Sequence, residues 1–123
     1  MNEKNQFVEA FKTKTKKFAI DALQLCDELP YNKNSTRIIA NELGRSASST
    51  GANYRAACRA RFDKEFYAKL SITIEEADES GFWCEVLEEG CFTANSTETN
   101  RLKNEAIEIT KVLAKARKNT TIK

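Results

Sequence analysis

Four carboxylates stand within five positions, Glu75, Glu76, Asp78 and Glu79, and are the residues of this 123-residue chain best placed for acid-base or metal chemistry. Paired carboxylates can share general acid and base roles, and carboxylates on facing helices hold two irons when Glu-x-x-His pairs complete the set. The chain has no His, and no second acidic cluster faces this one from another helix. Cys26, Cys58, Cys84 and Cys91 form no C-x-x-C pair and lack His partners, which removes the common zinc sites. They read as small buried hydrophobes in a reducing compartment, with an adventitious disulfide as the competing reading. No catalytic residue, cofactor or metal is therefore expected, and the chain reads as a non-enzyme. Ion pairing is the role left for the acidic cluster, with Arg45, Arg55 and Arg59 as candidate partners that would fix helix register.

The basic residues offer a second chemistry. Lys12, Lys14, Lys16 and Lys17 lie close together, and Arg55, Arg59 and Arg61 follow later; they are either solvated faces or phosphate contacts. A net charge of +2 hides a segregation. Residues 1–61 carry eleven Lys/Arg against six Asp/Glu, residues 62–98 carry two against ten, and residues 99–123 carry seven against two. Either the segments neutralise one another within a bundle or between subunits, or a basic surface faces nucleic acid. Asn53-Tyr54 is the remaining candidate. A buried Asn must satisfy its amide and Tyr54 brings a hydroxyl, which suits interhelical or intersubunit hydrogen bonding, or contact with a ligand.

The elements that position these residues are helices. One Pro and four Gly leave long stretches uninterrupted, and apolar residues recur at helical spacing throughout, so the fold class is all-α. The first helix is expected from Asn5 to Leu29 on the stripe Phe7, Phe11, Phe18, Ala22, Leu25 and Leu29, with Pro30 ending it. The second runs from an Asn34 or Ser35 cap to about Arg61; beyond Ile38, Ile39 and Leu43 its face shrinks to Ser46, Ala47, Thr50, Gly51, Asn53 and Ala57. Gly51 costs about 1 kcal/mol in a helix and so suggests close approach of another backbone. The third helix starts at an Asp63 cap and ends at Gly90, with Phe66, Leu70, Ile74, Ala77, Cys84 and Leu87 as its stripe. The fourth opens at Ser96 and Thr97 and carries Leu102, Ala106, Ile109, Val112, Leu113 and Ala116 before a polar tail, Lys118 to Lys123.

Four such helices with short links specify an antiparallel up-down-up-down four-helix bundle spanning residues 1–123 as one domain. A turn near Arg61 to Asp63 sets Arg45 level with Asp78, within reach of Glu75, Glu76 or Glu79, and Asn53 level with Leu70. Neighbours on a helix diverge by about 100°, so Phe82 and Trp83 cannot both face the core; with Tyr54 they suggest a subunit interface. No apolar run approaches the roughly 20 residues of a bilayer span, and residues 1–29 lack the apolar centre of a signal peptide, so the expected compartment is the cytoplasm, with no membrane partner.

Three runs carry a resemblance. R-S-A-S-S-T-G-A-N-Y-R-A-A from Arg45 to Ala57, D-K-E-F-Y-A-K-L from Asp63 to Leu70 and E-A-D-E-S-G-F-W from Glu76 to Trp83 resemble the bacterial 23S rRNA intervening-sequence proteins in order and spacing. The resemblance implies an up-down-up-down bundle that assembles into a homopentameric ring. It also implies kinship with the accessory protein of diversity-generating retroelements, hence RNA or DNA and a nucleic-acid-processing protein as partners. Two positions depart from the family pattern: Phe62 stands where a small polar cap is usual, and Gly81 where a bulkier residue is commoner. The expected function is a homo-oligomeric scaffold associated with nucleic acid through Lys12, Lys14, Lys16, Lys17, Arg55, Arg59 and Arg61. The alternative is a protein-protein adaptor without nucleic-acid affinity.

Overall fold

The computed structural model describes residues 2–120, so residues 121–123 of the polar tail lie outside the described residues. Four α-helices follow in order: α1 (Glu3–Asp27), α2 (Asn34–Cys58), α3 (Asp63–Glu89) and α4 (Ser96–Lys118). Each packs on its neighbours in sequence, and α4 returns to α1, so the helices form an all-α four-helix bundle with seams α1/α2, α2/α3, α3/α4 and α1/α4. The last seam is the thinnest. Phe18, Leu25, Leu43, Leu70, Leu87, Leu102, Ile109 and Leu113 are fully buried along the axis, as the apolar stripes require. Two stripe residues fall outside the core: Phe7 and Ile38 are exposed, because each sits near an end or edge where no facing helix covers it.

The helix ends differ from expectation in instructive ways. α1 begins two residues earlier than Asn5, because the Asn2 carboxamide accepts from the Asn5 amide at 2.8 Å. It ends at Asp27, leaving Leu29 buried in the link. Asn34 and Ser35 do not cap α2; both are already helical, and Lys33 holds the cap position without a side-chain bond. α2 stops at Cys58, short of Arg61. Asp63 likewise lies inside α3, and Phe62 occupies the cap position without capping. The free amide of Arg61 is met instead by Glu65 Oε2 at 3.4 Å.

Gly90 does end α3, but in right-handed geometry. The left-handed residue is Cys91, with φ 55°. Phe92 N–H donates to the Leu87 carbonyl at 3.0 Å and Cys91 N–H to that of Glu88 at 3.2 Å, the paired bonds of a Schellman stop. Gly90 makes room for the Phe92 ring, since a Cβ there would lie 2.2 Å from its Cε2. Asn95 caps α4 by accepting from the Glu98 amide at 3.2 Å.

Candidate nucleic-acid interface

Helical geometry divides the N-terminal lysines into two stripes. Positions 12, 16 and 19 share one face of α1, and 14, 17 and 21 share another. The first face meets α2, the second meets α4. Where α1 crosses α2 the small residues Ala19, Ser48, Gly51 and Ala52 form the floor of a cleft of about 450 Å³, and Lys12, Lys16, Arg55 and Arg59 rise from its walls with Thr13 and Glu9. Gly51 is what lets the floor lie so low: a Cβ there would stand 3.1 Å from the Thr15 carbonyl oxygen. The backbone that Gly51 admits therefore belongs to α1 of the same chain.

The cleft holds one carboxylate, Glu9, which pairs with Lys12 at 2.9 Å. Lys16, Arg55 and Arg59 have no ion pair among the described residues. Arg55 and Arg59 thus do not hold the acidic cluster of α3, because they point to the α1 side of α2. Arg61 lies exposed in the turn that follows. Lys14 and Lys17 are spent elsewhere. Lys14 Nζ lies 2.9 Å from Glu105 and 3.3 Å from Glu108, and the Glu105 bond outweighs the desolvation that lowers its pKa, raising it above the ordinary lysine value. Lys17 Nζ and Arg101 each reach Asp21 Oδ2 at 2.7 Å. Burial alone would raise the Asp21 pKa, but these two cations hold it below the ordinary aspartate value. The signal for the cleft was present in the sequence as the i, i+4, i+7 spacing of 12, 16 and 19; the residues overlooked were Glu9, Thr13, Ala19, Ser48 and Ala52.

On the α2/α3 seam, Arg45 forks to Glu76, at 2.8 Å, and to Glu79. Glu79 also accepts from the Trp83 indole N–H at 3.1 Å. Burial would raise the Glu79 pKa, yet Arg45 and Trp83 hold it below the ordinary glutamate value. Asn53 takes no part: both donations of its amide go to Ser49, to the carbonyl at 2.9 Å and the hydroxyl at 2.8 Å, so it bonds within its own helix and not across helices. Tyr54 is buried against α1, its ring edge-on to Phe11 at 5.1 Å, and cannot form a subunit interface. Phe82 remains exposed while Trp83 is half-buried, with the two rings edge-on. Phe82 borders a groove between α3 and α4 with Ile107, above Gly81 and Ala106. A Cβ at Gly81 would touch the Ala106 Cβ at 3.5 Å, so a bulkier side chain there would press on α4.

Among the described residues no group of three or more Cys, Asp or Glu is placed to hold a metal ion. Burial pushes the Cys84 thiol up to about 12 and the Cys26 thiol to about 11, which suppresses the reactive thiolate. Cys84 alone is fully buried; Cys26 and Cys58 are half-buried and Cys91, at the α3 stop, is exposed, so the expectation of four buried cysteines fails most plainly at Cys91. No helix among the described residues is long and apolar enough to cross a membrane.

No curated protein matches the chain significantly. It resembles a crystal structure from Bacteroides thetaiotaomicron, described as a protein of unknown function from the S23 ribosomal protein family. The TM-score is 0.77 at 27% identity, over 91% of this chain and 98% of that one. The sequence pattern of the 23S rRNA-intervening sequence proteins matches residues 10–115, which include all of the cleft except Glu9. With four helices in the expected order and a match over most of its length, the chain belongs to the 23S rRNA-intervening sequence protein family.

Proposed function

We propose that this protein is a non-enzymatic, nucleic-acid-associated scaffold that works as a homo-oligomer in the cytoplasm, with RNA as its ligand. One observation carries the reading. On the other seams Lys14, Arg45, Arg101 and Lys103 each meet a carboxylate and Arg117 meets the Ser71 hydroxyl, whereas the side chains of Lys16, Arg55 and Arg59 in the cleft meet no such partner among the described residues. Unpaired cations around a floor of small residues suit a phosphate backbone, which can lie close and needs no particular base sequence. The family's description and the S23 ribosomal label of the Bacteroides protein point the same way.

Self-assembly multiplies modest contacts. A pentameric ring, implied by the family resemblance, would repeat the cleft around its circumference and raise avidity without new contacts. The groove bordered by Phe82 and Ile107, 52% and 42% exposed, supports self-association through the α3/α4 face.

The test is the mass of the purified protein by light scattering, followed by titration with a short mixed-sequence RNA at two salt concentrations. Three neutralised phosphates per protomer, one for each unpaired cation, give an affinity loss of roughly fortyfold between roughly 50 and 200 mM salt. The triple variant Lys16→Glu, Arg55→Glu, Arg59→Glu is expected to abolish that binding while leaving the mass unchanged. An oligomer indifferent to RNA at low salt would sink the RNA reading and leave a protein-protein adaptor; a monomer would remove the multivalent mechanism.

A further inference from the structure

Phe62 is the side chain that the fold explains least. It holds the cap position of α3, where Ser, Thr, Asp or Asn would accept a free helix N–H, yet it makes no such bond and is 69% exposed. Neither burial nor capping favours it. Cations outnumber carboxylates around it: Arg59, Arg61 and Lys64 against Asp63 and Glu65, all exposed. The up-down order brings the last turn of α4, with Lys115, Arg117 and Lys118, to the same end of the bundle. Arg117 fixes that level, donating to Ser71 Oγ at 3.2 Å with its guanidinium 5.8 Å from the Tyr67 ring centroid on α3.

Helix dipoles explain part of this charge. The cations closing α2 and α4 face negative helix ends, and Glu3, Asp63 and Glu65 face the positive ends of α1 and α3. Dipoles do not explain Arg61 or Lys64, which stand at the positive end of α3. Nor do they explain the opposite end of the bundle, where Glu88 and Glu89 close α3 with no cation in that turn. Charge is therefore segregated along the bundle axis beyond what the helices themselves favour. The basic end also displays Phe62, one of four exposed aromatics with Phe7, Tyr31 and Phe82.

We propose that this end, built from the 59–64 turn and the last turn of α4, binds single-stranded RNA, with Phe62 as the platform for an unpaired base and the surrounding cations on the phosphates. The proposal rests on the nucleic-acid reading above and adds the form of the strand and the place. An aromatic face accepts any base, but stacking needs a base not already stacked and paired. Duplex RNA offers phosphates and 2′-hydroxyls with its bases enclosed. Arg59 also lines the α1/α2 cleft, so a backbone that follows the cleft arrives beside Phe62.

Fluorescence anisotropy with a short unstructured RNA and with its blunt duplex tests this. Phe62→Ser installs a capping residue, so a loss of affinity would not reflect a loss of fold. The expected result is a wild-type preference for the single strand. Phe62→Ser should weaken that binding about tenfold and leave duplex affinity and the salt slope unchanged. Arg61→Glu with Lys64→Glu should weaken both ligands and flatten the salt dependence. Equal wild-type affinity for strand and duplex overturns the proposal. So does a Phe62→Ser protein that binds normally while the cleft variant does not; the scaffold reading then survives alone. Absence of wild-type RNA binding overturns both.

Discussion

The α2/α3 seam and the α1/α4 seam join similar helices by different means. Between α2 and α3 the side chains are small and dry: Ser46, Ala47, Thr50, Thr73, Ala77 and Ser80 are all fully buried. The Ser46 and Ser80 hydroxyls lie 2.9 Å apart and share a hydrogen bond across the seam, and each also has a carbonyl of its own helix within reach, Leu43 at 3.3 Å and Glu76 at 2.9 Å. The Arg45 fork lies at the rim. Between α1 and α4 the helices meet along fewer residues, and charges do the joining: Lys14 with Glu105 and Glu108, Asp21 with Arg101, and Glu28 with the Asn95 amide at 3.1 Å. Close packing tolerates no change of volume but ignores salt and pH. Ion pairs tolerate volume changes and depend on both.

Three perturbations sharpen that contrast. The largest effect belongs to Ser46→Leu, which forces a branched side chain against Ser80 where no space exists. It should destabilise by about 3 kcal/mol in urea unfolding, and a cost below about 1 kcal/mol would mean the seam is loosely packed. Asp21→Asn comes next, at about 1 kcal/mol near neutral pH. Because the folded carboxyl has a lowered pKa, its contribution is present above the ordinary aspartate value and is lost as pH falls through the lowered one. The variant and the wild type should therefore converge in thermal melts at acid pH; a constant gap at all pH values would contradict an ionic role. Smallest is Lys14→Met, a few tenths of a kcal/mol in low salt and nothing measurable in high salt. If Lys14→Met instead proved salt-independent, packing and not charge would join α1 to α4.

Much of this fold was legible beforehand because its signals are local. Apolar spacing along α1 and α4, the single Pro and the turn near residue 60 set four helices and their antiparallel order. That order in turn gave the register at Arg45. Caps were less legible, since Asn34, Ser35 and Asp63 have capping chemistry but lie one or more residues inside their helices. A cap depends on where the chain leaves the neighbouring helix, which composition does not encode. Cys91 shows the same limit: its left-handed φ follows from fitting Phe92 beside Gly90, a contact between residues that pattern alone cannot place.

The candidate site divides in the same way. The sequence by itself determined that Lys12 and Lys16 share a helix face and that Lys14 and Lys17 share another, because a helix turns about 100° per residue. Only the tertiary structure decided which face would meet α2 and which α4. That choice neutralised Lys14 and Lys17 on the carboxylates of the closing seam and left Lys16, Arg55 and Arg59 without a carboxylate among the described residues, over a floor set by Gly51. Pairing is a property of two surfaces brought within a few ångströms, and no single helix carries it.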